Sequence, residues 1–330
     1  MVVAVTGASG LLGGNIATVL AAEGERVRCT RRERSRIDHL AHVDLTWVDA
    51  PLDDVEKLTA AFEGAEIVIH AAALTRMRAR PTPELIATNL EGTGHVVEAV
   101  RQAGVRRLVH VSTTAAVGVS EDGRPIDETA RWNMPERGLD DGYATTKRQA
   151  EELVLRAVAE GGLDAVVVNP CYMFGPLDVR PTSGRMILEV AKGHAWFASR
   201  GRNCYADVRD VARGAWAAAR HGRTGERYIL GGDNLTYHQV FTLIAEVTGG
   251  RPPLFDAEPA LARLVGLLGD ATGALTGRDA SLDSVRVRWG LETGFVFTSD
   301  KARRELGYTT GPLRNAIADA WAWFRAHGRT

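Results

Sequence analysis

The sequence predicts an α/β fold: a doubly wound parallel sheet joined to a smaller, mostly C-terminal domain. Three observations carry this. Short apolar runs alternate with helix-like segments through the first half of the chain, the pattern of repeated βαβ units. The apolar runs are unbroken rather than alternating with polar residues, as expected for strands buried on both faces. A glycine-rich turn joins the first strand to the first helix.

Taken in order, strands are expected at 2–6, 26–30, 44–48, 66–70, 107–112 and 165–169. Helices are expected at 11–23, 53–62, 83–103 and 142–160. After Asn169 the pattern loosens around Pro170, Gly175, Pro176, Pro181 and Gly184. Helices then follow at 185–192, 210–220, 238–248, 259–268, 300–306 and 313–326, with one strand at 227–230. The expected division is a dinucleotide domain over 1–170, to which 208–232 return, and a substrate-binding domain over 171–207 and 233–330. A ligand belongs between them, at the carboxyl ends of the strands.

Composition narrows the function classes. The 330 residues carry a formal net charge of -1, so neither nucleic acid nor an anionic membrane surface is an expected partner. No uncharged apolar run reaches the length of about 18 residues needed to span a bilayer. The apolar stretch 260–275 reads as a packed or lid-forming helix, with membrane-surface contact as the alternative. No basic, apolar leader precedes the first strand, so a cytoplasmic location is expected. Three cysteines (Cys29, Cys171, Cys204) form no C-x-x-C pair, which points to reduced thiols and no metal site. The chain has four lysines among 40 basic residues, a bias that suggests a GC-rich bacterial genome.

The turn Gly7-Ala8-Ser9-Gly10-Leu11-Leu12-Gly13 follows a strand and opens a helix, the context a Rossmann phosphate loop requires. Gly7 permits the tight turn, Gly10 lets backbone approach a pyrophosphate, and Gly13 lets helix and strand pack closely. The helix N-terminus offers its free N–H groups to the phosphates. At the end of the second strand an acid would bind the ribose 2′-hydroxyl of NAD(H). The chain instead places Arg31 and Arg32 there, with no acid before Glu33. We read Arg32, helped by Arg31, as a clamp for a 2′-phosphate, which favours NADP(H) over NAD(H); the alternative is a solvated charge run.

Tyr143 and Lys147 form Y-x-x-x-K, which puts both side chains on one helix face a turn apart. With four Lys and six Tyr in the chain, a chance match at this offset is about a 7% event. An ammonium beside a phenol favours the phenolate, so the pair suits proton transfer at a carbonyl oxygen. Thr113, at the end of the 107–112 strand, is the expected third group, polarising that oxygen. A hydroxyl bonded to local backbone is its alternative reading.

Together these residues resemble the extended short-chain dehydrogenase/reductases, the NAD-dependent epimerase/dehydratase superfamily. The likeness runs through T-G-x-x-G-x-x-G at 6–13, Asp49, His70-Ala71-Ala72, N-x-x-G-T at 89–93, Thr113, Tyr143-x-x-x-Lys147 and Asn169-Pro170. It is closest to the dihydroflavonol-reductase-like branch and to hopanoid-associated sugar epimerases. The resemblance implies that Asp49 and Ala50 meet adenine and that Ala71, Ala72 and Ala73 line the diphosphate and ribose. It implies that Asn89 supports a water relay and that Pro170 and Tyr172 lie by the nicotinamide. Thr114, Cys171 and Met173 are the substrate candidates it offers. A homodimer through the 84–103 and 143–160 helices is a further implication. Thr114-Ala115 stands where sugar-nucleotide dehydratases carry Asp-Glu, which disfavours dehydration. The expected activity is therefore NADP(H)-dependent reduction of a carbonyl, or oxidation of a secondary alcohol, on a small molecule. A sugar epimerase and a non-catalytic NADP-binding redox sensor are the rivals.

Overall fold

The computed structural model describes residues 1–276 and 283–329. The first part of the chain runs through β1 (Val2–Thr6), α1 (Leu11–Ala22), β2 (Arg26–Arg31), β3 (Thr46–Asp49), α2 (Val55–Phe62) and β4 (Ile67–His70). It continues through α3 (Pro83–Leu85), a π-helical segment (Ile86–Glu91), α4 (Gly92–Gln102), β5 (Arg107–Val111), α5 (Gly142–Ala159) and β6 (Ala165–Pro170). After β6 come β7 (Tyr172–Phe174), α6 (Gly184–Ala191), β8 (Phe197–Ala198), β9 (Arg202–Asp207), α7 (Val208–His221) and β10 (Arg227–Leu230). The last part contains β11 (Asp233–Thr236), α8 (Tyr237–Thr248), β12 (Phe255–Asp256), α9 (Pro259–Thr276), α10 (Ser284–Leu291), α11 (Asp300–Leu306) and α12 (Leu313–Ala326).

The main sheet has seven parallel strands in the order β10-β6-β5-β4-β1-β2-β3. Side chains alternate across it, as the pleat requires. Val3, Val5, Ile67 and Ile69 enter a core shared with Ile16 and Leu20 of α1 and with Trp216 of α7. Ala4, Val68 and Leu108 enter a second core with Leu58, Phe62, Val96 and Val154 of α2, α4 and α5. Both faces are covered, which is why the strands read as continuous apolar runs. The chain order reverses between β1 and β4, so a crevice opens at their carboxyl ends.

A smaller sheet, β11-β9-β7, lies beyond that edge. It packs on α6, α8 and α12 through Phe174, Tyr205, Ile187, Ile244 and Phe324. A two-stranded sheet joins β8 to β12.

Several expectations are corrected. The single helix expected over 83–103 is interrupted by the π-helical segment, because apolar periodicity does not register one extra residue in a turn. The strand expected over 26–30 extends to Arg31, and the helix expected from 210 begins at Val208, where the Asp207 carboxylate accepts the Arg209 N–H at 2.8 Å. Five short strands in 172–256 were not expected. β9, for example, reads Arg-Asn-Cys-Tyr-Ala-Asp, and its pairing with β7 and β11 makes it a strand.

The 260–275 stretch is helical, and its orientation is unusual. Leu261, Leu264, Leu268 and Leu275 share one face and are all exposed. The opposite face is small: a Cβ on Gly266 would lie 3.1 Å from Ser284 and from Val287 of the following segment. Among the described residues no helix is long and apolar enough to cross a membrane.

Candidate active site

The phosphate loop has the geometry its glycines imply. Gly7 takes a φ of +75°, and a Cβ there would lie 2.5 Å from the Ala72 nitrogen. A Cβ on Gly13 would lie 2.3 Å from the Gly7 carbonyl oxygen. Gly10 caps α1 with extended backbone, no side chain caps the helix, and its first turn contains no acid. The first-turn N–H groups around Leu11, Leu12 and Gly13 therefore face outward at the positive end of the helix. Ser9 is partly exposed beside them. A cradle of backbone donors that a Cβ at Gly7 would fill suits the pyrophosphate of a dinucleotide.

Ala71 and Ala72 lie against this loop: their N–H groups donate to the Thr6 carbonyl at 3.2 Å and to its hydroxyl at 3.4 Å. Ala73 is exposed. Arg31 and Asp49, expected to serve phosphate and adenine separately, are an ion pair at 2.8 Å. The Ala50 N–H donates to the Arg31 carbonyl at 3.0 Å, and Ala50 is buried. Arg32 is exposed just beyond the strand, with its N–H on the Ser35 hydroxyl at 3.1 Å.

Thr113, Tyr143 and Lys147 are brought together at the carboxyl end of β5. The Thr113 side chain lies close enough to the Tyr143 phenol to lower its pKa. Thr113 Oγ1 accepts the Ala115 N–H at 3.3 Å, the local backbone bond of its alternative reading. Lys147 is buried and donates from Nζ to the Val111 carbonyl at 2.8 Å. Burial lowers its ammonium to about 8, against the raising field of Glu151. Burial also pushes the Tyr143 phenol up to about 12, although the Thr113 side chain lowers it. The expected lowering by Lys147 is not found: the groups that shift the phenol are its burial, Thr113 and Asp141.

Asn89 does not reach this trio. Its amide donates to the Leu74 carbonyl at 3.0 Å and the Thr146 hydroxyl at 3.1 Å, and its oxygen accepts the Leu74 N–H at 2.8 Å. It fixes the strand-end loop from inside the π-helical segment. Pro170 is buried at the end of β6. Tyr172 feels the charges of Tyr143 and Asp141. Cys171 turns the other way: its thiol donates to the Tyr172 carbonyl at 3.3 Å, and it is buried in the main core with Cys204. Thr114 is buried in the turn after Thr113, and Met173 packs against the core.

Sequence reasoning missed two supports. Glu151, fully buried, accepts from Arg227 at 3.0 Å and from the Asn169 amide at 2.7 Å. Asn169 in turn donates to the Thr113 carbonyl at 3.0 Å. The spacing of Glu151, one further turn beyond Lys147 on α5, was the available signal. Among the described residues no group of three or more His, Cys, Asp or Glu could hold a metal ion.

Residues 3–231 match the NAD dependent epimerase/dehydratase family. The chain belongs to this family. It is 35% identical to sterol demethylase protein B of Methylococcus capsulatus, over 99% of each chain. It is 33% identical to a ketoreductase of Stigmatella aurantiaca whose named substrate is a farnesylated quinoline N-oxide, over 92% of this chain and 90% of that one. A nucleoside-diphosphate-sugar epimerase structure from Pseudomonas aeruginosa superposes with a TM-score of 0.82 at 28% identity, covering 100% and 99% of the two chains. The family member described here is an enzyme of the oxidoreductase or epimerase type, with a Rossmann-like fold.

Proposed function

We propose that this family member is an NADP(H)-dependent oxidoreductase that reduces a carbonyl, or oxidises a secondary alcohol, of a small molecule. The approach of Thr113 to the Tyr143 phenol, with Lys147 one turn along α5 and its ammonium on the carbonyl of Val111 at the end of β5, supports this reading. The nicotinamide supplies or accepts the hydride when bound. Thr113 and Tyr143 hold the reacting oxygen between their hydroxyls. In reduction Tyr143 gives its proton to that oxygen; in oxidation its phenolate takes the proton back. Lys147 contributes positive charge one turn along α5, held on the Val111 carbonyl, and Asn169 and Glu151 tie β5, β6 and α5 together. The ketoreductase relative supports net redox chemistry.

The choice of NADP(H) rests on Arg32. Arg31 is held by Asp49, whereas Arg32 is exposed just beyond the end of β2. Arg32→Ala should weaken NADPH binding about tenfold or more and leave NADH binding unchanged. Equal effects on both would overturn this assignment.

For the chemistry, a panel of aliphatic, aromatic and steroidal ketones should be reduced with net consumption of NADPH. Tyr143→Phe should lose about 100-fold or more in turnover while still binding NADPH. Retained turnover would overturn the mechanism. The epimerase relative supports a second reading, marked by turnover of a nucleotide sugar with no net change in NADPH.

A further inference from the structure

His70 ends β4, and it is buried. Its ring nitrogens meet two hydroxyls: Nδ1 lies 2.7 Å from the Thr6 oxygen and Nε2 lies 3.1 Å from the Thr93 oxygen. Thr93 already gives its proton to the Asn89 carbonyl at 2.6 Å, so it can only accept from His70. The ring therefore carries its proton on Nε2, and Nδ1 accepts the Thr6 proton.

The bonds continue beyond both threonines. The Thr6 oxygen accepts the Ala72 N–H at 3.4 Å, and a Cβ on Gly7 of the phosphate loop would lie 2.5 Å from that same nitrogen. At the other end the Asn89 amide donates to the Thr146 hydroxyl at 3.1 Å. Thr146 in turn donates to the Gly142 and Tyr143 carbonyls, at 2.8 and 3.1 Å. Thr6, His70, Thr93, Asn89 and Thr146 are all buried. Every hydrogen points the same way, from the phosphate loop toward the first turn of α5.

Burial alone does not produce this pairing. The His110 ring sits 5.6 Å from that of His70 and is as deeply buried, yet neither of its nitrogens has a hydrogen-bond partner. A neutral imidazole presents one donor and one acceptor across a rigid ring. That is what a hydroxyl with a proton to give and a hydroxyl able only to accept require of the side chain between them.

We propose that His70, held as its Nε2–H tautomer, is a positioning residue that couples the dinucleotide loop to the turn of α5 carrying Tyr143. The seat of the cofactor and the placement of the acid–base are then set together. This rests on Tyr143 being the acid–base. Burial, more than the Lys147 charge, keeps the ring neutral; a second proton would make Nδ1 a donor and break the bond to Thr6.

The test uses Thr93→Val and Thr146→Val, which keep the shape of threonine and each cut one bond of the chain, with the best ketone of the panel above. Both should lower kcat at saturating NADPH about 3- to 10-fold, the worth of one hydrogen bond. Both should also weaken binding of ADP, which carries the pyrophosphate but no nicotinamide, about 2- to 5-fold. His110→Leu, which breaks no hydrogen bond, should leave both constants unchanged. Independently of turnover, nitrogen-15 NMR at pH 7 should show the His70 ring protonated on Nε2 alone, identified by its shift in Thr93→Val. Lowered melting temperatures with wild-type kcat and ADP affinity would overturn the inference, as would an Nδ1–H or doubly protonated ring or an equal loss in His110→Leu. If Tyr143→Phe is inactive and both valine variants match wild type, this inference alone fails. If Tyr143→Phe keeps its turnover, the acid–base reading fails first, and ADP binding by Thr146→Val still decides whether the two ends are coupled.

Discussion

The Asn169 amide lies 2.7 Å from the Glu151 carboxylate, and through that bond the end of β6 is tied to the helix that carries Tyr143 and Lys147. The same amide holds the Thr113 carbonyl. One buried acid therefore links α5 to the ends of β5 and β6.

Removing that acid should be expensive. Glu151→Ala leaves the mostly buried Arg227 guanidinium without its carboxylate, and breaking a buried pair from one side costs about 3–5 kcal/mol. Glu151→Gln retains an acceptor for Asn169 and should lose less. Urea denaturation of the two variants measures both, and equal midpoints to wild type would show that the network does not support the fold.

The phosphate-loop glycines should separate into two kinds. Gly13→Ala forces a Cβ to 2.3 Å from the Gly7 carbonyl, and overpacking of this sort costs about 1–3 kcal/mol. The Cβ of Gly10→Ala would sit at an ordinary 3.4 Å from the nearest protein atom. That variant should melt near wild type but bind the dinucleotide poorly, because the methyl occupies space the pyrophosphate needs. Thermal melts with and without NADPH distinguish the two.

Lys147 should set stability against function. Its folded value of about 8 lies below that of a free lysine, so between about pH 8 and 10.5 the unfolded chain binds the extra proton and stability rises with pH. At neutral pH the burial cost is fully present. Lys147→Met should abolish turnover, flatten that alkaline rise, and leave stability at pH 7 equal or higher. The gross gain of about 3 kcal/mol is offset by about 1 kcal/mol for the unbonded Val111 carbonyl. Denaturant titrations from pH 7 to 10 read the difference.

Two buried imidazoles should control acid tolerance. His70, bonded to Thr6 and Thr93, is lowered to about 3 by burial and by Lys147. His110 is lowered for the same reasons, and neither of its ring nitrogens has a hydrogen-bond partner. As pH falls below about 6.5 the unfolded chain protonates and the folded one does not, so each histidine removes about 1.4 kcal/mol per pH unit. His110→Leu should reduce the acid slope by about half without loss of stability at pH 7, since no bond is broken. An unchanged slope between pH 4 and 6 would contradict this.

The parallel sheet was legible because burial on both faces writes itself as continuous apolar runs such as Val3-Ala4-Val5 and Ile67-Val68-Ile69. The phosphate loop and the Tyr143–Lys147 pair were legible because their spacing is local: one turn of backbone, one turn of helix. The strands from Tyr172 to Asp256 were not, since each is short and is a strand only through partners distant in sequence. The π-helical turn around Asn89 was hidden because one added residue leaves composition and periodicity nearly unchanged.

Sequence by itself determined which residue types meet at the crevice: the glycines, Thr113, Tyr143 and Lys147. Tertiary structure decided their states. It committed Lys147 to a carbonyl, paired Arg31 with Asp49, spent Asn89 on Leu74, buried Cys171 with Cys204 and left one oxygen of Asp141 unbonded. Spacing along a chain fixes which side chains share a face, whereas burial and hydrogen-bond partners come from segments far apart in sequence, and these set charge and reactivity.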